Sequence, residues 1–226
     1  YSKEEMDAVF DAFVKDCPGP VVDGRKEGSG IGEQGADWVT PLPGKHNLQN
    51  AALAAKMALA LGCKAEAVKR ALASFRGVER RLQRILPDPN TQTPLNPNTQ
   101  TPKHPNTSPA VYDDYAHNPE KLKAMWTTVA EAHPEGICVV WRPHGYAPLR
   151  KMLEPLAAML AETIRPCDKL LLLPVYDAGG TTDRSINSDA LKEKMNAKGD
   201  GVQRCVLVPD LDAAFDWCAA HRGDFS

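Results

Sequence analysis

From residue 110 onward the chain alternates short, unbroken apolar runs with longer stretches of helical periodicity, and this alternation restricts the fold more than any other feature. The apolar runs are Ala110–Tyr112, Ile137–Trp141, Lys169–Tyr176 and Arg204–Val208, and amphipathic segments fall at about 119–132, 148–163, 188–197 and 211–221. Successive residues of a strand point to opposite faces, so a run that is apolar throughout needs cover on both sides. Repeated β-then-α units therefore predict an α/β fold: a Rossmann-like, mostly parallel, doubly wound sheet. Ligands of such sheets bind beyond the carboxyl ends of the strands. Those ends carry Asp113–Pro119, Arg142–Leu149, Asp177–Asn187 and Pro209–Asp210.

The preceding part reads as mainly helical. Met6, Val9, Phe10, Phe13 and Val14 share a helical face within Ser2–Lys15. Asn47 is expected to cap a helix that Gly62 stops, a second helix covers Lys64–Phe75, and the end of Val78–Ile85 reads as a strand. Between the two parts, residues 87–109 are almost entirely Pro, Asn, Thr and Gln. Pro-Asn-Thr-Gln-Thr-Pro occurs at 89–94 and again at 97–102. Proline at this density breaks ladders, and the segment has little apolar surface to bury, so it reads as a solvated insert. The expected organisation is a domain part at 1–86, the insert at 87–109 and a Rossmann-like domain at 110–226.

Lys and Arg number 27 against 29 Asp and Glu, a net charge of −2, which offers no electrostatic reason for a nucleic-acid or acidic-membrane partner. No apolar run is long enough to span a bilayer. The six cysteines are scattered without a C-x-x-C pair, as in a reduced, cytoplasmic protein, and form neither a disulfide frame nor a metal site.

Gly30-Ile-Gly32-Glu-Gln-Gly35 satisfies G-x-G-x-x-G. It is followed by Ala-Asp-Trp-Val-Thr-Pro-Leu-Pro, which cannot open the helix that a dinucleotide site requires, so it reads as a loop. Gly44-Lys45 is no phosphate-binding P-loop, because Val39 stands at the required glycine and His46 follows the lysine. His46, Asn47 and Asn50 offer an imidazole and two carboxamides at a helix start, suited either to capping or to a purine edge. Asp113-Asp114-Tyr115-Ala116-His117-Asn118-Pro119 is the densest polar cluster, with Asn118 and Pro119 suited to opening the next helix. In Arg142-Pro143-His144-Gly145-Tyr146, His144 can orient a substrate, and Arg142 with Arg150 can clamp a carboxylate or phosphate. Arg80-Arg81 can form surface ion pairs or contact phosphate.

Gly44-Lys-His-Asn-Leu-Gln-Asn-Ala-Ala-Leu-Ala-Ala, Phe75-Arg-Gly-Val-Glu-Arg-Arg-Leu and Asp113-Asp-Tyr-Ala-His-Asn-Pro together resemble the ATP-dependent Mur ligases of peptidoglycan synthesis, over about residues 37–86 and 108–222. Arg142-Pro-His-Gly-Tyr and Leu170–Gly180 look most like the alanine-adding members. Those members carry arginines just after the histidine, where Gly145 and Pro148 stand here. The resemblance implies ATP and Mg²⁺ as cofactors, with UDP-N-acetylmuramate and an amino acid, L-alanine foremost, joined through an acyl phosphate. It implies that 1–86 is the end of a central ATP-binding domain. His46, Asn47 and Asn50 would face adenine, Arg81 the phosphates and Asp114 the ribose. Tyr115, His117 and His144 would place the incoming amino acid, with Asn118 and Arg142 among the substrate-binding residues and His117 and His144 catalytic. The P-loop and the magnesium ligands would precede Tyr1, so the expectation is a fragment inactive alone. A non-catalytic α/β binding module and a related ligase acting on murein tripeptide or on folate stand as alternatives.

Overall fold

The computed structural model describes residues 2–24, 38–86, 110–198 and 204–225. The insert and the glycine-rich pattern at 30–35 lie outside these residues. The chain divides into two compact units, Tyr1–Gly77 and Val78–Ser226.

The first unit contains α1 (Lys3–Asp16), α2 (Lys45–Ala60) and α3 (Ala65–Ser74). Ser2 and Glu5 open α1 with a reciprocal capping box: the Ser2 Oγ accepts from the Glu5 N–H at 3.1 Å, and the Ser2 N–H donates to the Glu5 carboxylate at 2.7 Å. Its apolar stripe is exposed, with Phe13 at 72%. The cap of α2 is Gly44 and not Asn47. Glycine reaches φ 95° without a Cβ clash, which turns its carbonyl toward the Asn47 and Leu48 N–H groups at 3.1 and 3.3 Å. Asn47 thus falls inside the helix, and its Nδ2 donates back to the Pro43 carbonyl at 2.7 Å. Gly62, at φ 85°, follows the end of α2 as expected. Buried Ala51, Ala52 and Ala55 of α2 and Val68 of α3 are the apolar packing residues of this unit.

The second unit holds β1 (Gln83–Leu86), β2 (Val111–Asp113), α4 (Pro119–Ala132), β3 (Cys138–Trp141), α5 (Tyr146–Thr163), β4 (Lys169–Leu172), α6 (Ser188–Asn196), β5 (Cys205–Leu207) and α7 (Leu211–Ala220). β3, β4 and β5 form a parallel sheet in that order. The fold class is α/β with a parallel sheet, but its first strand differs from expectation. β2 pairs antiparallel with β1, Gln83 opposite Asp113 and Arg84 opposite Tyr112. Residues 78–86 consequently belong with the second unit, and the division falls at Gly77, earlier than residue 86. With strands in sequential order, the described sheet shows no reversal of strand order.

Alternation along β4 explains why its leucines are all buried. Leu170 and Leu172 enter the core beneath α4, α5 and α6, whereas Leu171 and Leu173 pack with Val208, Ala214 and Trp217 on the other face. The α5 and α6 helices pack on one side of the sheet and α7 on the other. Beneath the first layer, Asp168 is wholly buried and collects hydrogen bonds from Trp126 Nε1 at 2.9 Å, the Ile137 N–H at 3.1 Å and Arg165 Nη2 at 2.7 Å. Burial alone would raise its carboxyl, but the Arg165, Trp126 and backbone donors outweigh that and hold it below the ordinary range. No helix among the described residues is long and apolar enough to cross a membrane.

Candidate functional site

The carboxyl ends of β2, β3 and β4 bring three sequence clusters to one rim of the second unit. Trp141, the last residue of β3, donates its Nε1–H to the Ala116 carbonyl at 3.1 Å, which ties the Asp113–Pro119 loop to the end of the parallel sheet. Asn118 caps α4 by accepting from the Lys121 N–H at 2.9 Å, with Pro119 in the first turn. After β4 the chain stays extended, and the Tyr176 N–H donates to the Pro143 carbonyl at 2.8 Å. The loops are therefore held by backbone bonds, and their side chains are free to converge.

They converge as a row of rings. Tyr115 lies 5.2 Å from His117 and 5.4 Å from His144 between ring centroids, and His144 meets Tyr176 edge-on at 5.9 Å. The Arg80 guanidinium sits 4.9 Å over the Tyr115 ring, and its Nε is 3.5 Å from Asp113. His117 Nδ1 is 2.9 Å from the Tyr115 carbonyl. A carbonyl oxygen only accepts, so Nδ1 carries the hydrogen, and a neutral ring presents its lone pair at Nε2. His144 is exposed beside it.

The arginines divide. Arg142, next to Trp141, has its Nε–H buried with no hydrogen-bond partner among the described residues, a donor that a carboxylate or phosphate oxygen would satisfy. Arg150 is not available as the second arm of a clamp. It is committed to the following loop, with Nη2 2.8 Å from the Asp183 carboxylate and 3.1 Å from Ser185 Oγ. Arg184 closes the same loop on Asp177, Nε to Oδ2 at 2.7 Å and Nη2 to Oδ1 at 3.1 Å. The Arg184 bond and the Gly179 N–H hold the Asp177 carboxyl below its usual range.

Asp114 is engaged in building the site. Its Oδ2 accepts from the Leu82 N–H at 2.7 Å, and the Tyr115 N–H donates to the Arg80 carbonyl at 2.9 Å. These bonds hold Arg80 and Leu82 at φ 57° and 47°, a backbone region that non-glycine residues rarely occupy. Arg81 stands exposed between them. Asp114 therefore shapes the turn that presents Arg81. His46, Asn47 and Asn50 lie on the opening turns of α2 in the first unit, where His46 and Asn50, four residues apart, share a helix face. Among the described residues no group of three or more His, Cys, Asp or Glu is placed to hold a metal ion.

Sequence reasoning did not single out Tyr176, which it took as the end of an apolar strand, nor the stacking of Arg80. A tyrosine four residues past the last residue of β4 was the available signal for the first. The second depends on a turn whose φ values no pattern announces.

A family model described as Mur ligase, glutamate ligase domain, matches residues 102–225. The UDP-N-acetylmuramate–L-alanine ligase of Chelativorans sp. (strain BNC1) is 32% identical over 189 residues, 84% of this chain and 36% of that protein. The protein of the same name from Sinorhizobium fredii is 32% identical over 82% of this chain and 35% of its own length. The chain thus spans about a third of the length of these curated relatives. Among solved structures, UDP-N-acetylmuramate-alanine ligase of Thermotoga maritima superposes with a TM-score of 0.51 at 22% identity, covering 76% of this chain and 31% of that one. Mycobacterium tuberculosis folylpolyglutamate synthase complexed with ADP gives 0.55 at 20%, covering 83% and 35%. At such identities the structural likeness concerns the fold. The domain match across residues 102–225, together with 32% identity over 84% of the sequence, establishes that the chain belongs to the Mur ligase family.

Proposed function

We propose that the chain is the carboxy-terminal part of an ATP-dependent ligase that joins the amine of an amino acid, L-alanine foremost, to the carboxylate of UDP-N-acetylmuramate. The row Tyr115, His117, His144 and Tyr176 at the sheet rim carries this reading. ATP, when bound, supplies the phosphoryl group that converts the carboxylate into an activated acyl phosphate. His46, Asn47 and Asn50, on the opening turns of α2, would hold the adenine. The Asn47 Nδ2 donates one hydrogen to Pro43, so its Oδ1 and the second Nδ2 hydrogen are left for the base edge.

An amino acid reaches neutral pH as an ammonium and attacks only after losing a proton. His117, with Nδ1 pinned by the Tyr115 carbonyl, offers Nε2 to accept that proton. The Arg142 Nε–H is suited to the amino-acid carboxylate, which turns the amine toward the acyl carbon. Tyr115, His144 and Tyr176 present exposed rings at this rim, against which the side chain of the amino acid would pack. Asn118 contributes by fixing the start of α4 and with it the position of His117.

The test is amino-acid-dependent phosphate release from ATP by the full-length protein carrying this chain, with UDP-N-acetylmuramate and single amino acids. Expected are turnover with one small amino acid and a fall of roughly 10²-fold or more in kcat for His117→Ala, the order of a lost general base. Turnover only with a murein peptide, or only with folate and glutamate, would move the assignment to another ligase. The absence of any amino-acid-dependent turnover would leave a binding module.

A further inference from the structure

We propose that Cys138 and Cys218 are an oxidation site that closes to an intramolecular disulfide on exposure to a peroxide. Cys138 opens β3 and Cys218 lies on α7, on the sheet face away from α5 and α6, with the two Sγ atoms 4.0 Å apart across 80 residues of sequence. Both thiols are free and partly buried. Both also line a cleft of about 390 Å³ bounded by Val140, Trp141, Arg222 and Phe225, which gives a small oxidant a route to them. A disulfide needs about 2.05 Å between sulfurs, an approach that side-chain rotation can supply when α7 already packs on the strand. The pair sits at the amino end of β3, the end opposite His144, and takes no part in the rim chemistry.

The order of events follows from the surroundings. Burial, and then the neighbouring Cys218, push the Cys138 thiol far above its ordinary range, so Cys218 is the sulfur that attacks first. Its thiolate attacks one peroxide oxygen and the O–O bond breaks. The sulfur becomes a sulfenic acid, and the departing hydroxide takes a proton to leave as water. Cys138 then attacks that sulfur, the S–O bond breaks, and its own proton leaves with the hydroxyl as a second water. Two thiols and one hydrogen peroxide give one disulfide and two waters, the two electrons passing from sulfur to peroxide. The bond fastens α7 to β3.

The experiment treats the reduced full-length protein with hydrogen peroxide, blocks the remaining thiols with iodoacetamide, and maps peptides by mass spectrometry without reduction. A peptide pair joining Cys138 to Cys218, two hydrogens lighter than its reduced parts and reopened by dithiothreitol, is the expected product. It should form before any other linked pair, although Cys63 and Cys167 are more exposed. With Cys138→Ala, Cys218 should stop at a sulfenic acid that dimedone traps. With Cys218→Ser, Cys138 should stay a thiol. Recovery of both residues as alkylated thiols after Cys63 and Cys167 are consumed would overturn the proposal. So would oxidation of Cys138 in the Cys218→Ser protein at the rate seen with Cys218 present.

Discussion

Replacing Asp168 by Asn keeps the side-chain volume and removes the charge at the most heavily bonded buried group of the second unit. The carboxylate is wholly buried, with Oδ1 accepting from the Ile137 N–H and Arg165 Nη2 and Oδ2 from Trp126 Nε1 and the Arg165 N–H. A carboxamide has one oxygen, so its NH₂ must confront one of these donor pairs in either orientation. An unsatisfied buried donor costs about 1–3 kcal/mol, and breaking a buried ion pair costs about 3–5 kcal/mol. Arg165 keeps 29% side-chain exposure and recovers part of that loss in water, so the estimate settles at about 3–4 kcal/mol. For an m-value of about 2 kcal/mol/M, the urea midpoint of the second unit should fall by roughly 1.5–2 M. Trp126, whose Nε1–H donates to this carboxylate, provides the fluorescence signal. The native carboxyl lies below its unfolded value, so its contribution is present above about pH 4 and lost as pH falls through the native pKa. The difference between wild type and Asp168→Asn should therefore shrink in acid. A midpoint shift corresponding to less than about 1 kcal/mol, or a difference that grows on acidification, would refute the reasoning.

Three further outcomes follow from single contacts. Gly136→Ala places a Cβ 2.6 Å from the Cys167 carbonyl at φ 139°, which should destabilise by about 2–4 kcal/mol in urea unfolding. Leu172→Ala, at a fully buried position between β4 and the α5–α6 layer, should cost about 3–4 kcal/mol by the same measurement. Arg184→Gln should return the Asp177 carboxyl toward its ordinary titration range, read by NMR pH titration, because the guanidinium supplies the largest part of its lowering.

At the candidate site, what local sequence controls was legible and what distant contacts control was not. The Asp113–Pro119 and Arg142–Tyr146 clusters were legible because strand ends in α/β sheets are where polar residues exceed what a turn requires. Asn118 could be read as a cap, since the capping bond spans only three residues. Arg150 could not be told from Arg142, because Asp183, its partner, lies 33 residues away along the chain. Asn47 was misplaced as a cap for a smaller reason: both it and Gly44 suit a helix start, and only the φ of Gly44 decides between them. Asp114 was read by resemblance as a ribose contact, and its 2.7 Å bond to the Leu82 N–H, across 32 residues of sequence, is a further role that no local pattern announces.

Taken alone, the order of residues determined what short-range physics controls: the helices, the strands, and the α/β class that follows from apolar runs needing cover on both faces. Tertiary structure decided which strands pair. A strand was readable at Ala110–Tyr112 and stands at Val111–Asp113, but its antiparallel union with Gln83–Leu86 joins segments separated by residues 87–109. Backbone hydrogen bonding carries no label of partner, so that choice is made by packing across the whole unit. The same packing sets Tyr176 against His144 and turns isolated polar residues into one rim.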